Sequence, residues 1–354
     1  RPFPGLITAL MERSSEVILR NEAKLPRAGL MLINPPRDSL RRQLEQTGRP
    51  VGVFTQNHGD FCWHGSGSDE NVRFGLRPSP DQLASAAILN LPREKELLTM
   101  MLHALSSGLS PDSRLWLVGE NKAGIKSAKR YLEQLFRQVS NRDSARHGVL
   151  FEARQPCPGG HFEPGSYARQ WQATFAGHSL DIVSLPGVFA HGRLDQGSQM
   201  LLDALEGLQP TGKILDFACG SGVIGCSLLA ANSGIELTLL DVSAIALESS
   251  RRTLEMNALQ AHLLPSDGLA QVKGRFDWIV SNPPFHRGIR NDLEIAANFF
   301  TAAGTFLAQD GRIIIVCNRH LPYAEWLQTH FDQVERLCAN ERFVVIMAAR
   351  PRNG

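Results

Sequence analysis

The stretch Lys213–Ile214–Leu215–Asp216–Phe217–Ala218–Cys219–Gly220–Ser221–Gly222–Val223–Ile224–Gly225 reads as a strand, a tight turn and the opening of a helix. Small residues at 218, 220 and 222 let a ligand approach the backbone closely, and the first N–H groups of the helix lack intrahelical partners. A glycine-rich turn alone is weak evidence, and a nucleotide phosphate is the ordinary suspicion. Here the spacing is Asp-x-Ala-x-Gly-x-Gly, with an acidic residue opening the loop. A carboxylate beside the turn repels phosphate and favours a cationic ligand.

Working outward, Glu236–Leu237–Thr238–Leu239–Leu240–Asp241 is a second strand ending in a carboxylate. It lies at about the 20-residue offset at which an acidic side chain meets ribose hydroxyls in doubly wound folds. Leu263 to Gly268 gives a third strand and turn, with Asp267 at its end. Phe276–Asp277–Trp278–Ile279–Val280 gives a fourth, followed by Ser281–Asn282–Pro283–Pro284–Phe285. Asp216, Asp241, Asp267 and Asn282 therefore close successive strands, the edge at which open α/β sheets bind ligands. The series fits S-adenosylmethionine, whose sulfonium suits the acidic loop.

Asn-Pro-Pro cannot continue a sheet, because two consecutive residues lack an N–H and have φ fixed. It leaves the sheet as a stiff turn carrying an amide and unpaired carbonyls, with Phe285 next. The Asn282 oxygen and the Pro283 carbonyl can accept both hydrogens of an NH2 group on a planar ring, and Phe285 can stack on that ring. The bland alternative is a turn that merely ends a strand. Histidines 286 and 320 are candidate proton acceptors, although loop histidines are more often bystanders.

Asn-Pro-Pro-aromatic after a strand resembles motif IV of methyltransferases that modify exocyclic or amide nitrogens. Together with Leu185–Pro186–Gly187–Val188–Phe189, Leu194–Asp195–Gln196–Gly197–Ser198–Gln199 and Asn318–Arg319–His320–Leu321–Pro322–Tyr323, it resembles the ribosomal RNA guanine-N2 methyltransferases. Val118 to Ala128 and Asp143–Ser144–Ala145–Arg146 extend the likeness into the first half; residues 1–80 carry no match. The resemblance implies an α/β protein of two tandem Rossmann-like methyltransferase domains. The first is degenerate, and the second has a seven-stranded, mostly parallel sheet.

The resemblance also implies transfer of a methyl group from S-adenosylmethionine to the N2 amine of a specific guanine in small-subunit (16S) ribosomal RNA, in the assembled subunit. It places Asp216, Gly220 and Gly222 along the cofactor's methionine part, Asp241 at the ribose and Asp267 at the adenine amino group, with Phe189, Ala218, Cys219, Val242 and Gly268 also at the cofactor. Asn282, Pro283, Pro284 and Phe285 would receive the base, with Asn282 also bordering the cofactor. Ala218 departs from the glycine usual there. Large-subunit (23S) RNA, protein glutamine or DNA adenine remain alternative substrates, and a non-catalytic RNA-binding assembly factor is the alternative outside enzymes.

The strand Arg114–Leu115–Trp116–Leu117–Val118 and its exit at Asn121 parallel Gly311 to Asn318, a weak internal repeat that implies two related α/β units. Gly, Pro and polar residues over 153–180 mark the linker, so residues 1–160 are expected to form the degenerate domain and 161–354 the catalytic one. Trp171, Phe175 and Leu180 would build a short hairpin. Residues 1–170 hold 23 Lys and Arg against 17 Asp and Glu, a net +6, while the remainder is −4. With Lys122, Lys126, Lys129 and Arg130 at three- and four-residue steps on one helix face, the first domain is expected to dock RNA. A solvated helix surface is the plain alternative.

Locally, a helix with a serine cap is expected over Ser14–Arg20, a loop between Asn57 and Ser68, and a helix opening at Pro92. Asn34–Pro35–Pro36, followed by Arg37 and preceded by no glycine-rich loop, reads as a turn. At 43% hydrophobic and 20% charged residues the chain is that of a globular protein. No apolar run reaches the roughly 18 residues of a membrane span. Six scattered cysteines without a C-x-x-C pair are expected to be reduced, in a cytoplasmic protein without a metal. A monomer is expected.

Overall fold

Residues 1–167 and 168–354 form two compact units in the computed structural model. It describes residues 10–352 apart from 66–68, 84–85, 146–147, 158–160 and 284–289, and the side chains of 290–295 are likewise not described. The first unit carries β1 (Leu30–Ile33), β2 (Val51–Thr55), β3 (Val72–Phe74), β4 (Ala86–Asn90), β5 (Arg114–Glu120), β6 (Phe136–Asp143) and β7 (Gly148–Pro156). The second opens with a hairpin, β8 (Arg169–Phe175) and β9 (His178–Ser184). It continues through β10 (Lys213–Phe217), β11 (Glu236–Asp241), β12 (His262–Pro265), β13 (Phe276–Ser281), β14 (Leu307–Asn318), β15 (Phe331–Ala339) and β16 (Phe343–Pro351).

The two large sheets have the same strand order, β3-β2-β1-β4-β5-β7-β6 and β12-β11-β10-β13-β14-β16-β15. In each, six strands run in one direction, and the sixth in the order, β7 or β16, runs antiparallel between its two neighbours. The repeat inferred from 115–121 and 311–319 thus pairs β5 with β14, which hold the same place in the two sheets. It also locates the two Asn-Pro-Pro runs. Asn34 follows β1, the counterpart of the strand before the glycine-rich loop, whereas Asn282 follows β13, the counterpart of β4. The Asn34 amide is consumed locally, donating to Gln56 Oε1 (3.0 Å) and accepting from the Gln56 N–H (2.9 Å), so this run is a turn.

Period-two alternation sets what faces what in the second sheet. Leu215 and Phe217 on β10, Ile279 on β13, and Ile313 and Ile315 on β14 join Phe299, Phe300, Tyr323 and Leu327 in one buried cluster. Asp216 therefore points to the opposite face, where the helix Val223–Ala231 packs against β10. That helix lies close: a Cβ on Gly225 would stand 2.7 Å from Leu239 Cδ2 and 3.0 Å from Asp216 Oδ2.

Three local expectations are corrected. The first helix spans Arg13–Arg20 with Glu12 at its N-cap and no side-chain cap, so the serines lie inside it. His58–Gly65 is helical rather than a loop; His58 and Phe61 pack around Phe74, with the His58 and Phe74 ring centres 5.2 Å apart. The helix expected from Pro92 begins at Lys95, because β4 extends to Asn90. None of the six cysteines is in a disulfide bond among the described residues. Among the described residues no helix is long and apolar enough to cross a membrane.

Candidate functional site

The turn after β10 is built from left-handed backbone. Ala218, Gly220 and Gly222 have φ of +59°, +57° and +77°. Ala218 holds the first of these conformations with a methyl group, which explains why glycine is usual there and why alanine is tolerated at modest cost. A Cβ on Gly222 would lie 3.0 Å from Ser250 Oγ, so this position needs glycine for space as well as for φ. Val188 lies against the loop, its Cγ1 3.7 Å from where a Gly220 Cβ would be, and brings in Phe189, which is 62% exposed. The Cys219 thiol turns inward, 3.4 Å from Ser250 Oγ, and burial pushes it well above its usual range, so only its backbone is offered to a ligand.

Asp216 does not line the loop surface as the sequence reading placed it. It is fully buried, and its Oδ2 accepts the Gly225 N–H (2.8 Å) from the first turn of the helix Val223–Ala231. Oδ1 has no hydrogen-bond partner among the described residues. Burial, with the Asp241 charge adding to it, pushes Asp216 up to about 7. The attraction to a cation argued from this residue therefore holds only for its ionised form.

Asp241 ties two strand ends together. Its Oδ2 accepts the Gly220 N–H (3.0 Å) and its Oδ1 the Ser243 N–H (2.9 Å), while burial raises its carboxyl above the ordinary value. Each carboxylate oxygen has a second lone pair, so the group can also accept from a vicinal diol. Val242 is half-buried beside it, and Asp267 stands exposed beyond β12, ahead of left-handed Gly268. Replacing Asp241 by Ala should weaken S-adenosylmethionine binding about ten- to a hundredfold, the contribution of charge-assisted hydrogen bonds worth roughly 1.5–3 kcal/mol. Calorimetry on Asp241→Asn beside it separates ligand contact from loop support, since the amide still accepts one backbone N–H. Unchanged affinity in both variants removes Asp241 from the site.

Register brings Asn282 beside this loop. β13 pairs in parallel with β10, Ser281 opposite Phe217, and the Ser281 hydroxyl donates to the Phe217 carbonyl (2.7 Å). Asn282 and Ala218 are the next residues of each chain. Asn282 Nδ2 donates to Ser198 Oγ (2.9 Å) and to the Asp195 carboxylate (3.3 and 3.4 Å), while its Oδ1 is buried without a partner among the described residues. Asp195 and Ser198 carried no role in the sequence reading. They entered it only within the stretch Leu194–Gln199 that carries the family resemblance, because nothing local links them to a residue 84–87 positions away. Pro283 is buried; Pro284, Phe285 and His286 lie outside the described residues.

Lys122 sits in the short 3-10 turn Asn121–Ala123, and Lys126, Lys129 and Arg130 in the helix Ile125–Leu135. Lys129 pairs with Glu133 (3.1 Å), and Arg130 donates to the Tyr131 hydroxyl (2.9 Å); Lys122, Lys126 and Arg130 are exposed. In the second unit, Asn318, Arg319, His320, Glu341 and Arg342 line an open cleft at the end of β14. No cluster of metal-ligating side chains occurs among the described residues.

Comparison with known proteins accounts for both units. Residues 179–347 match the family model described as "Methyltransferase small domain", and residues 15–171 match "Methyltransferase small domain N-terminal". Ribosomal RNA small subunit methyltransferase C of Shewanella sediminis is 33% identical over 338 residues, covering 95% of this chain and 98% of the relative. The protein of that name from Hahella chejuensis is 33% identical over 342 residues, covering 96% and 99%. Among solved structures, the T. thermophilus 16S rRNA N2 methyltransferase, in complex with AdoMet and guanosine, superposes with a TM-score of 0.81. It is 24% identical, covering 96% of this chain and 92% of that one, a likeness of fold.

Proposed function

This chain belongs to the ribosomal RNA small subunit methyltransferase C family, and we propose that it transfers a methyl group from S-adenosylmethionine to the exocyclic N2 amine of a guanine in 16S ribosomal RNA. The observation that carries this reading is the Asn282 carbonyl oxygen. It is a buried acceptor without a partner among the described residues, at a strand end next to a glycine loop flanked by carboxylates. Leaving such an acceptor unsatisfied costs about 1–3 kcal/mol, so its use is to take a hydrogen from a ligand.

The residues present fit the cofactor. Three left-handed residues open the loop backbone, Asp241 offers its remaining lone pairs to ribose hydroxyls, and Asp216 Oδ1 is an unsatisfied acceptor behind the loop. S-adenosylmethionine, when bound, supplies the electrophilic methyl group. The guanine N2 amine is a poor nucleophile because its lone pair is delocalised into the ring. Asn282 Oδ1 and the Pro283 carbonyl would accept its two hydrogens and turn the lone pair out of the ring plane, toward the cofactor loop. Catalysis then rests on alignment, with the proton leaving after transfer, and no strong base is required. A base buried in a helix must be flipped out to reach Asn282, at a cost of a few kcal/mol. Phe285 is the proposed stacking platform.

The first domain, in this reading, is a docking module that has lost cofactor binding: β1 leads into Asn34–Pro35–Pro36 where β10 leads into the glycine loop. Replacing Lys126, Lys129 and Arg130 together by Ala should weaken RNA binding and flatten its salt dependence by up to about two units on a log–log plot, because phosphate contacts release counterions. Cofactor affinity should not change. If the triple variant binds subunits like the parent at every salt concentration, that helix is only surface. Small subunits are made in the cytoplasm, which is where the protein would act.

The direct test is to incubate small ribosomal subunits from cells lacking the protein with purified protein and labelled S-adenosylmethionine, then map modified nucleotides by mass spectrometry. A single N2-methylguanine in 16S RNA is expected. Methylation confined to 23S RNA, protein or DNA would overturn the assignment.

A further inference from the structure

We infer that Asp195 and Ser198 are positioning residues that lock the Asn282 amide with its oxygen free, making the site an acceptor for amines. This rests on the reading of Asn282 as the group that receives the substrate amine. A primary amide is nearly symmetrical in shape, and a half-turn about its last bond exchanges donor and acceptor. One orientation receives an NH2 group; the other receives a ring carbonyl. Something other than Asn282 must choose.

The choice is made by chemistry rather than by the placement of two similar atoms. An ionised carboxylate only accepts hydrogen bonds, so the amide end facing Asp195 must be NH2. Nδ2 has two hydrogens and finds two sets of acceptors: Ser198 Oγ at 2.9 Å and the Asp195 oxygens at 3.3 and 3.4 Å. Its donor capacity is thereby spent. The reversed amide would set its oxygen against the Asp195 oxygens. Oδ1, buried and unpartnered among the described residues, is the amide's capacity left for a substrate.

Asp195 is itself held. It is the N-cap of the helix Gln196–Leu208, and its Oδ1 accepts the N–H groups of Gly197 (2.9 Å) and Ser198 (3.2 Å). Two backbone donors thus hold the carboxylate in place, with its oxygens turned to N–H groups as acceptors. Ser198, one turn into the same helix, is 4% exposed. Between them, Gly197 leaves the room the pair needs: a Cβ there would lie 3.1 Å from Asp195 Oδ1, 3.5 Å from Phe343 Cε1 and 3.6 Å from Asn282 Nδ2. A segment preceding β10 thus sets the polarity of a side chain after β13.

The test is steady-state methylation of small subunits by Asp195→Asn, Ser198→Ala, Asn282→Asp and the double variant Asp195→Asn/Asn282→Asp. S-adenosylmethionine affinity is measured by calorimetry on each. Asn caps a helix as well as Asp, so Asp195→Asn keeps the fold while replacing one acceptor oxygen by NH2. Its kcat should fall about ten- to a hundredfold, the scale of a small misplacement of a reacting group, with KM and cofactor affinity within about twofold. Ser198→Ala should lose kcat in the same sense and does not touch the cap. Asn282→Asp opposes two carboxylates and should be near background. Adding Asp195→Asn restores a donor–acceptor pair of reversed polarity, and should recover roughly tenfold over Asn282→Asp alone, as coupled neighbours do.

Wild-type kcat in both Asp195→Asn and Ser198→Ala would overturn the proposal, as would a double variant no better than Asn282→Asp with cofactor affinity intact. Asn282→Ala separates the two levels. If it is inactive while Asp195→Asn and Ser198→Ala are both unimpaired, the positioning fails and the amine reading stands; if it retains turnover, the amine reading itself fails.

Discussion

Asn282→Ala is expected to lower methyl transfer by on the order of 10²- to 10³-fold, the loss typical when one preorganised hydrogen-bonding group aimed at the reacting centre is removed. Cofactor affinity should be unchanged within error. The contrast follows from position. Asn282 hangs from β13 by a backbone pinned through Ser281 to Phe217, so deleting its side chain removes an acceptor without releasing the strand end. The groups proposed for the cofactor are supported elsewhere, on the turn after β10 and the end of β11. Deleting the amide also leaves Asp195 with its two backbone donors, so the helix cap survives. Turnover on small subunits with labelled methyl groups, beside calorimetry, gives both quantities. Near-normal turnover would sink the mechanism. Phe285→Ala should cost less, since stacking on one base is worth about 1–3 kcal/mol.

What could be read in advance divides along physical lines. The strands ending at Asp241 and Ser281 were legible because each is an apolar run closed by a polar or proline residue, a signal contained within a few positions. The duplication was legible at one strand pair, β5 and β14, and the common strand order extends it to the whole sheets. The helix His58–Gly65 was not legible: its composition is that of a loop, and Phe74, around which the rings of His58 and Phe61 pack, comes from outside its local sequence. The Asp195–Asn282 contact was illegible for the same reason at longer range, since 87 residues separate its partners.

Asp216 is an instructive middle case. Its motif marked it as a ligand-facing carboxylate, while the alternation Leu215–Asp216–Phe217 already placed it on the face opposite the core-facing pair. Structure sides with the alternation: the carboxylate meets Gly225 and the helix behind the loop. A motif names residues a site requires without saying whether they touch the ligand or brace the backbone that does.

That bracing makes stability depend on pH. Asp216 has its pKa raised to about 7 by burial and by the Asp241 charge, against an ordinary value of about 3.9 in an unfolded chain. The native state therefore holds a proton that the unfolded state releases first. Below about pH 4 both forms are protonated and there is no penalty. As pH rises the unfolded chain gains from ionising while the folded one does not, and the penalty levels off above about pH 7, at roughly 4 kcal/mol. Asp216→Asn keeps a carbonyl for the Gly225 N–H and removes the ionisation. Its stability advantage over the parent should thus grow by roughly 2–3 kcal/mol between pH 5 and pH 8. Thermal unfolding of the full chain without ligand should show the gap in Tm widening by about 5–10 °C over that range. A gap that stays constant with pH would mean that Asp216 is ionised throughout. The same proton bears on the cofactor: a cation near the unpartnered Oδ1 favours the charged carboxylate, so binding by the parent should tighten as pH rises toward 7, and binding by Asp216→Asn should not.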